Sequence, residues 1–81
     1  VKVLTRHGHF VDSAQGIRDL TDRQRLVLQL MADGLTSQSI AEMLDISYET
    51  VRVHRYRILK RLGVHSTGQA VAVAIRGGII P

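Results

Sequence analysis

Leu44-Asp45-Ile46-Ser47-Tyr48-Glu49-Thr50-Val51-Arg52-Val53-His54-Arg55 joins two unlike helical segments through a turn only a few residues long. Asp45 and Ile46 make the turn, and the apolar Ile46 is its inward plug. Ser47 is an effective N-cap, because its hydroxyl can accept from the unpaired backbone N–H groups of a first helical turn. Glu49 falls within that turn, where a negative charge suits the positive end of the helix dipole. From Val51 onward Arg52, Arg55, Arg57, Lys60 and Arg61 follow with no acid among them. The pattern is a short helix, a tight turn and a longer basic helix, the arrangement of a helix-turn-helix.

Upstream of the turn, Thr36 or Ser37 caps a helix over 37–44, with Ile40, Ala41, Met43 and Leu44 as candidates for burial. Ala41 is informative, since a small side chain lets two helices cross closely. Downstream, a rotation of about 100° per residue divides the helix over 48–62 into strips. Val51, Ile58 and Leu62 share a narrow sector, with Leu59 at its edge, and belong to the core. Glu49, Arg52, Val53, Tyr56 and Lys60 lie on the opposite side. Thr50, Arg57 and Arg61 form a flanking strip, with His54 between them and the core. Arg55 stands at the apolar edge, where its stem packs and its head reaches solvent.

Further out, Thr21-Asp22-Arg23-Gln24 is a capping box opening a helix over 22–33. Leu20, Val27, Leu28, Leu30 and Met31 give that helix an apolar face, and Gly34 suits its end. Gly63 ends the long helix. Ser66 and Gln69 make a second capping box before a helix over 67–76, which is apolar almost all round from Ala70 to Ile75. One side of it can join the core, and the other calls for a partner. Residues 1–19 read as an irregular linker or tail, loop-like through Gly16. The expectation is an all-α, four-helix domain over 20–81.

The 81 residues suffice for one modest core but not for a deep catalytic cleft. Cysteine is absent, so neither disulfides nor Cys-ligated zinc support the fold, which fits a reducing cytoplasm. His7-x-His9 lacks further ligands and makes a poor metal site. No cofactor is called for, and no apolar run is long enough for a bilayer. Starting on Val1, the chain reads as a processed or excised piece. Nothing supplies a nucleophile with its base, a Gly-rich phosphate loop or a paired-carboxylate motif, so an enzyme is not expected. Net charge is +4, and after residue 45 six Lys/Arg face Glu49 alone, whereas residues 1–45 carry five Lys/Arg and six Asp/Glu. A polyanionic partner accounts for that asymmetry, since phosphate contacts dominate nucleic-acid affinity.

The run from Leu20 to Ile80 resembles the LuxR/GerE-type DNA-binding domain. The matching residues are Leu20-Thr21-x-Arg23-Gln24, Gly34-Leu35-Thr36, Ile40-Ala41-x-x-Leu44-x-Ile46-Ser47, Thr50-Val51-Arg52-x-His54 and Ile58-Leu59-x-x-Leu62-Gly63-Val64. Gln24 replaces the family's usual acid, which keeps the capping geometry and loses the charge. The resemblance implies a cytoplasmic bacterial transcription regulator whose third helix (48–62) enters the major groove of double-stranded DNA. It implies a homodimer, formed in solution or only on DNA, joined through the last helix. A phospho-receiver or ligand-binding domain would precede it, and residues 7–12 are loosely similar to a response-regulator linker.

By that resemblance Arg52 and Tyr56 match the family's base-contacting pair, and Val53 can meet a thymine methyl. Tyr56 departs from the basic residue often found at its position, so it reads either a base or a phosphate. Ser37, Gln38, Thr50, Arg57, Lys60 and Arg61 are the candidate phosphate contacts, which position the helix without selecting sequence. Ala70, Val71 and Ala74 are the candidate dimer contacts. A competing reading is a protein-interaction module, similar to the sigma-factor end that contacts RNA polymerase.

Overall fold

The computed structural model describes residues 2–4 and 10–78, with side chains from residue 15 onward. In chain order the elements are β1 (Lys2–Leu4), β2 (Phe10–Asp12), α1 (Ser13–Asp19), α2 (Asp22–Ala32), α3 (Ser37–Leu44), α4 (Tyr48–Leu62) and α5 (Thr67–Arg76). The last four lie where capping residues and apolar spacing put them. β1 and β2 pair antiparallel, with Val3 opposite Val11.

The caps follow the side-chain chemistry. Thr21 Oγ1 accepts from Gln24 N at 3.1 Å while Gln24 Oε1 accepts from Thr21 N at 3.0 Å, so the first box is closed in both directions. Thr36, rather than Ser37, caps α3 by accepting from Ser39 N at 3.1 Å. Ser47 caps α4 by accepting from Thr50 N at 3.0 Å. Ser66 caps α5, but its box is only half made, because Gln69 Oε1 accepts from His65 N instead of Ser66 N.

Three helices stop by one device. Gly34, Asp45 and Gly63 take left-handed backbone conformations, with φ of 90°, 55° and 70°. Each following N–H then reaches back to a carbonyl five residues earlier: Leu35 to Leu30, Ile46 to Ala41 and Val64 to Leu59, at 3.0–3.1 Å. That pairing satisfies end carbonyls and turns an apolar residue inward each time. Val64 is buried, while Leu35 and Ile46 pack half-buried on the core.

α4 is the central element and packs against α1, α2, α3 and α5. Val27, Leu28, Ile40, Val51, Ile58, Leu62, Ala70 and Ala74 are fully shielded from solvent. Ala41 is 4% exposed, in keeping with the close crossing expected at that position. Met43, an expected core residue, is instead 61% exposed. On a helix of eight residues Ile40, Ala41 and Leu44 already fill the inward arc, and Met43 falls outside it.

The main departure from expectation is upstream of residue 20, where the segment expected to be irregular contains both the β1–β2 pair and α1. Its seven residues include Gly16, a poor helix former. Docking accounts for the helix. Gly16 lies directly against the Arg61 backbone, and Ile17 and Leu20 are 6% and 5% exposed within the core. The Arg61 guanidinium donates to the Asp19 carbonyl, and Arg25 Nη2 donates to the Ile17 and Arg18 carbonyls at 3.4 Å each. Two cations thus meet the negative end of a short helix.

Candidate nucleic-acid interface

The orientation of α4 follows from what its sides are made of. Val51, Ile58 and Leu62 lie on the buried side with no exposure. Turned away from them, the side chains of Arg52 and Glu49 are 59% and 77% exposed, and Val53 and Tyr56 are 45% and 63% exposed as residues. Leaving Val53 and Tyr56 in water forgoes burial that either could contribute elsewhere, so an outward apolar and aromatic pair beside an exposed arginine is informative. The candidate base contacts Arg52, Val53 and Tyr56 therefore share one open surface.

Of the candidate phosphate contacts on α4, Thr50, Arg57, Lys60 and Arg61 are all exposed. Thr50 Oγ1 lies 2.8 Å from Ser47 Oγ, so its hydroxyl belongs to the cap as well as to the surface. Arg61 is directed toward α1 through its bond to Asp19, leaving the remainder of its fork for other partners. Arg55, beside them, donates from Nε to Thr67 Oγ1 at 2.9 Å and ties α4 to the start of α5. Lys60 Nζ sits 5.8 Å from the Tyr56 ring centroid, within cation–π range. His54 is half-buried at the flank and His65 is exposed in the turn before α5.

Ser37 and Gln38 occupy the first turn of α3, where backbone N–H groups face outward. Ser37 is half-buried, and Gln38 Nε2 donates to Glu42 Oε1 at 3.3 Å. His7 and His9, considered above as metal ligands, lie outside the described residues, as does the apolar tail over 79–81.

The proposed dimer contacts need correction. Ala70 and Ala74 have no exposed surface and belong to the chain's own core, where α5 packs on α2 and α4. Val71 is half-buried against the core edge. The outward side of α5 carries Gly68, Val71, Ala72 and Ile75, spaced by three and four residues, and Ile75 is 51% exposed. Apolar composition on all sides hid this distinction. Among the described residues no helix is long and apolar enough to cross a membrane.

Comparison with known proteins bears on this geometry. The profile described as "Bacterial regulatory proteins, luxR family" matches residues 18–74. The uncharacterized response regulatory protein YgeK of Escherichia coli strain K12 is 45% identical over 60 residues, covering 74% of this chain and 41% of that protein. The transcriptional regulatory protein FixJ of Rhizobium meliloti strain 1021 is 40% identical over 75 residues, covering 88% of this chain and 37% of that protein. Among solved structures, the transcription factor GerE superposes with a TM-score of 0.72 at 34% identity, over 76% of this chain and 92% of that one. The chain belongs to the luxR family of bacterial regulatory proteins and has the helix-turn-helix DNA-binding fold of that family. It spans well under half the length of YgeK and FixJ.

Proposed function

We propose that the chain is the DNA-reading output domain of a cytoplasmic bacterial transcription regulator, with α4 lying in the major groove. Arg52 donates its fork to guanine O6 and N7, Val53 meets a thymine methyl, and Tyr56 contacts a base edge or a phosphate. Ser37 and Gln38 at the start of α3, with Thr50, Arg57, Lys60 and Arg61, hold the phosphate backbone and set the helix's register. Two copies sit on a pseudo-palindromic site, paired through Val71, Ala72 and Ile75, so that their α4 helices lie roughly 34 Å apart. The response regulators among the relatives support an upstream receiver domain as the source of the signal, with RNA polymerase as the machinery addressed on DNA.

The observation that carries this reading is the split of α4: Val51, Ile58 and Leu62 wholly inside, Arg52, Val53 and Tyr56 open. Selection of duplexes from a random pool at defined salt, followed by affinity measurements, tests it. Arg52→Ala should relax preference at one base pair by about 1–3 kcal/mol, whereas Lys60→Ala should weaken all duplexes alike and reduce the salt slope by about one. Salt-independent binding, or DNA affinity indifferent to Arg52→Ala beside firm binding to polymerase, would favour the interaction-module reading instead.

A further inference from the structure

Tyr48, Arg52, Tyr56 and Lys60 recur at every fourth position along the open side of α4, ring and cation alternating. Arg52 Cζ lies 5.9 Å from the Tyr48 ring centroid. Glu49, the one acid after residue 45, is set against the same guanidinium, with its Oε2 3.8 Å from Arg52 Nη1. On a face turned toward phosphates a carboxylate lowers affinity by simple repulsion. The helix dipole favours an acid in the first turn but does not require it beside Arg52.

We propose that Tyr48 and Glu49 are positioning residues for Arg52, holding its guanidinium in one orientation so that choice of base is sharpened at some expense of overall affinity. The proposal rests on the reading of Arg52 as a base contact. A side chain on a helix leans toward the N-terminus and meets residues three and four positions earlier, which here are Glu49 and Tyr48. A guanidinium is a planar fork, so its usefulness to guanine depends on its orientation as well as its place. The ring covers one part of that fork and the carboxylate draws another part toward itself, which narrows the rotamers available before DNA arrives. Such exposed contacts are weak in water and strengthen as the groove excludes solvent. Lys60 over Tyr56 repeats the pairing without a planar head, so the same arrangement there supplies charge but no orientation.

The test uses the full chain and the duplex recovered by selection against it, with single-base variants of that duplex. The readout is the ratio of affinities for matched and mismatched duplexes at the base pair that Arg52→Ala identifies; any unfolded fraction cancels from it. Arg52→Ala should lower the ratio about 5- to 150-fold. Glu49→Gln and Tyr48→Leu should each lower the same ratio at least about threefold, Glu49→Gln while binding mismatched duplexes more tightly. Tyr48→Phe, which keeps the ring, should leave the ratio as in the wild type. In the Arg52→Ala background neither Glu49→Gln nor Tyr48→Leu should change it. An unmoved ratio with all affinities raised by one factor in Glu49→Gln would reduce Glu49 to bulk charge and overturn the proposal. So would a change that persists without Arg52. If Arg52→Ala itself moves no ratio, the base-contact reading fails first, an outcome separate from failure of the frame alone.

Discussion

Substituting Gly16 by Ala opposes two effects of known sign. Helix propensity favours Ala over Gly by about 0.5–1 kcal/mol in a helix interior, which predicts a stabilised protein. Packing predicts the reverse. A Cβ at position 16 would fall on the Arg61 carbonyl oxygen, 2.9 Å from its carbon and 3.5 Å from Leu62 Cα. Non-bonded carbon atoms settle at about 3.5–4.0 Å, so α1 must retreat by roughly an ångström. The obstacle is the backbone of the central helix, which is packed against four others and has little room to yield. Retreat loosens Ile17 and Leu20, and fully burying a side chain of that kind contributes about 1.5–3 kcal/mol. Forfeiting around half of both costs about 1.5–3 kcal/mol, against at most about 1 kcal/mol gained from propensity. The expected net loss is about 1–2 kcal/mol, or about 4–16 °C in Tm for a domain this small.

Urea titration and thermal melting followed by circular dichroism give the number directly. Gly68→Ala is the matched control, because a Cβ there meets only Ser66 Oγ at 4.0 Å; it should be neutral or stabilising by up to about 1 kcal/mol. A Gly16→Ala protein that melts at or above the wild type would refute the docking of α1 on α4 and leave Gly16 as an ordinary helical glycine.

Asp45→Ala should cost about 1–2 kcal/mol, because φ of 55° disfavours a Cβ lacking a short polar group, whereas Asp45→Gly should be neutral or better; urea midpoints check both. Ser47→Ala should lose about 1 kcal/mol through the α4 cap, read from the same titrations. Ile75→Glu should leave stability within about 0.5 kcal/mol of the wild type and reduce cooperative occupancy of a two-half-site duplex, with affinity for one half-site unchanged by gel shift. Ala70→Glu, entering the core, should unfold the chain or cost more than about 3 kcal/mol by the same melts.

Much of the architecture is legible because it is local. Thr21, Thr36, Ser47 and Ser66 announce four helix starts by side chains that reach no further than three residues. Gly34 and Gly63 announce two ends, and Asp45 marks a third less plainly, since a non-glycine residue in the left-handed region has to be inferred from the turn around it. The strips of α4 follow from rotation per residue alone, and Val51, Ile58 and Leu62 fall inside as that rotation requires. α1 is illegible for the opposite reason. Its propensity is poor, and its partners Arg61 and Gly77 stand more than forty positions away in sequence.

The same contrast explains why the open side of α4 could be read and the open side of α5 could not. On α4 charge and apolarity alternate, so hydropathy separates inside from outside. On α5 nearly every residue between Ala70 and Ile75 is apolar, and periodicity carries no direction. Size does carry one. Ala70 and Ala74 go inward, where α5 approaches α2 and α4 closely, and at Gly77 a Cβ would already meet Ile17 Cδ1 at 2.5 Å. The larger Ile75 is left outside, half exposed, in a position where a polar residue would serve solubility better. Ala70 and Ala74 mark where α5 closes on the chain's own core, and Ile75, left in water, is the large apolar residue that the proposed pairing of two copies would cover. Ile75→Glu therefore probes the proposed pairing face more cleanly than any substitution at Ala70 or Ala74, whose loss would be felt in folding before it could be felt on DNA.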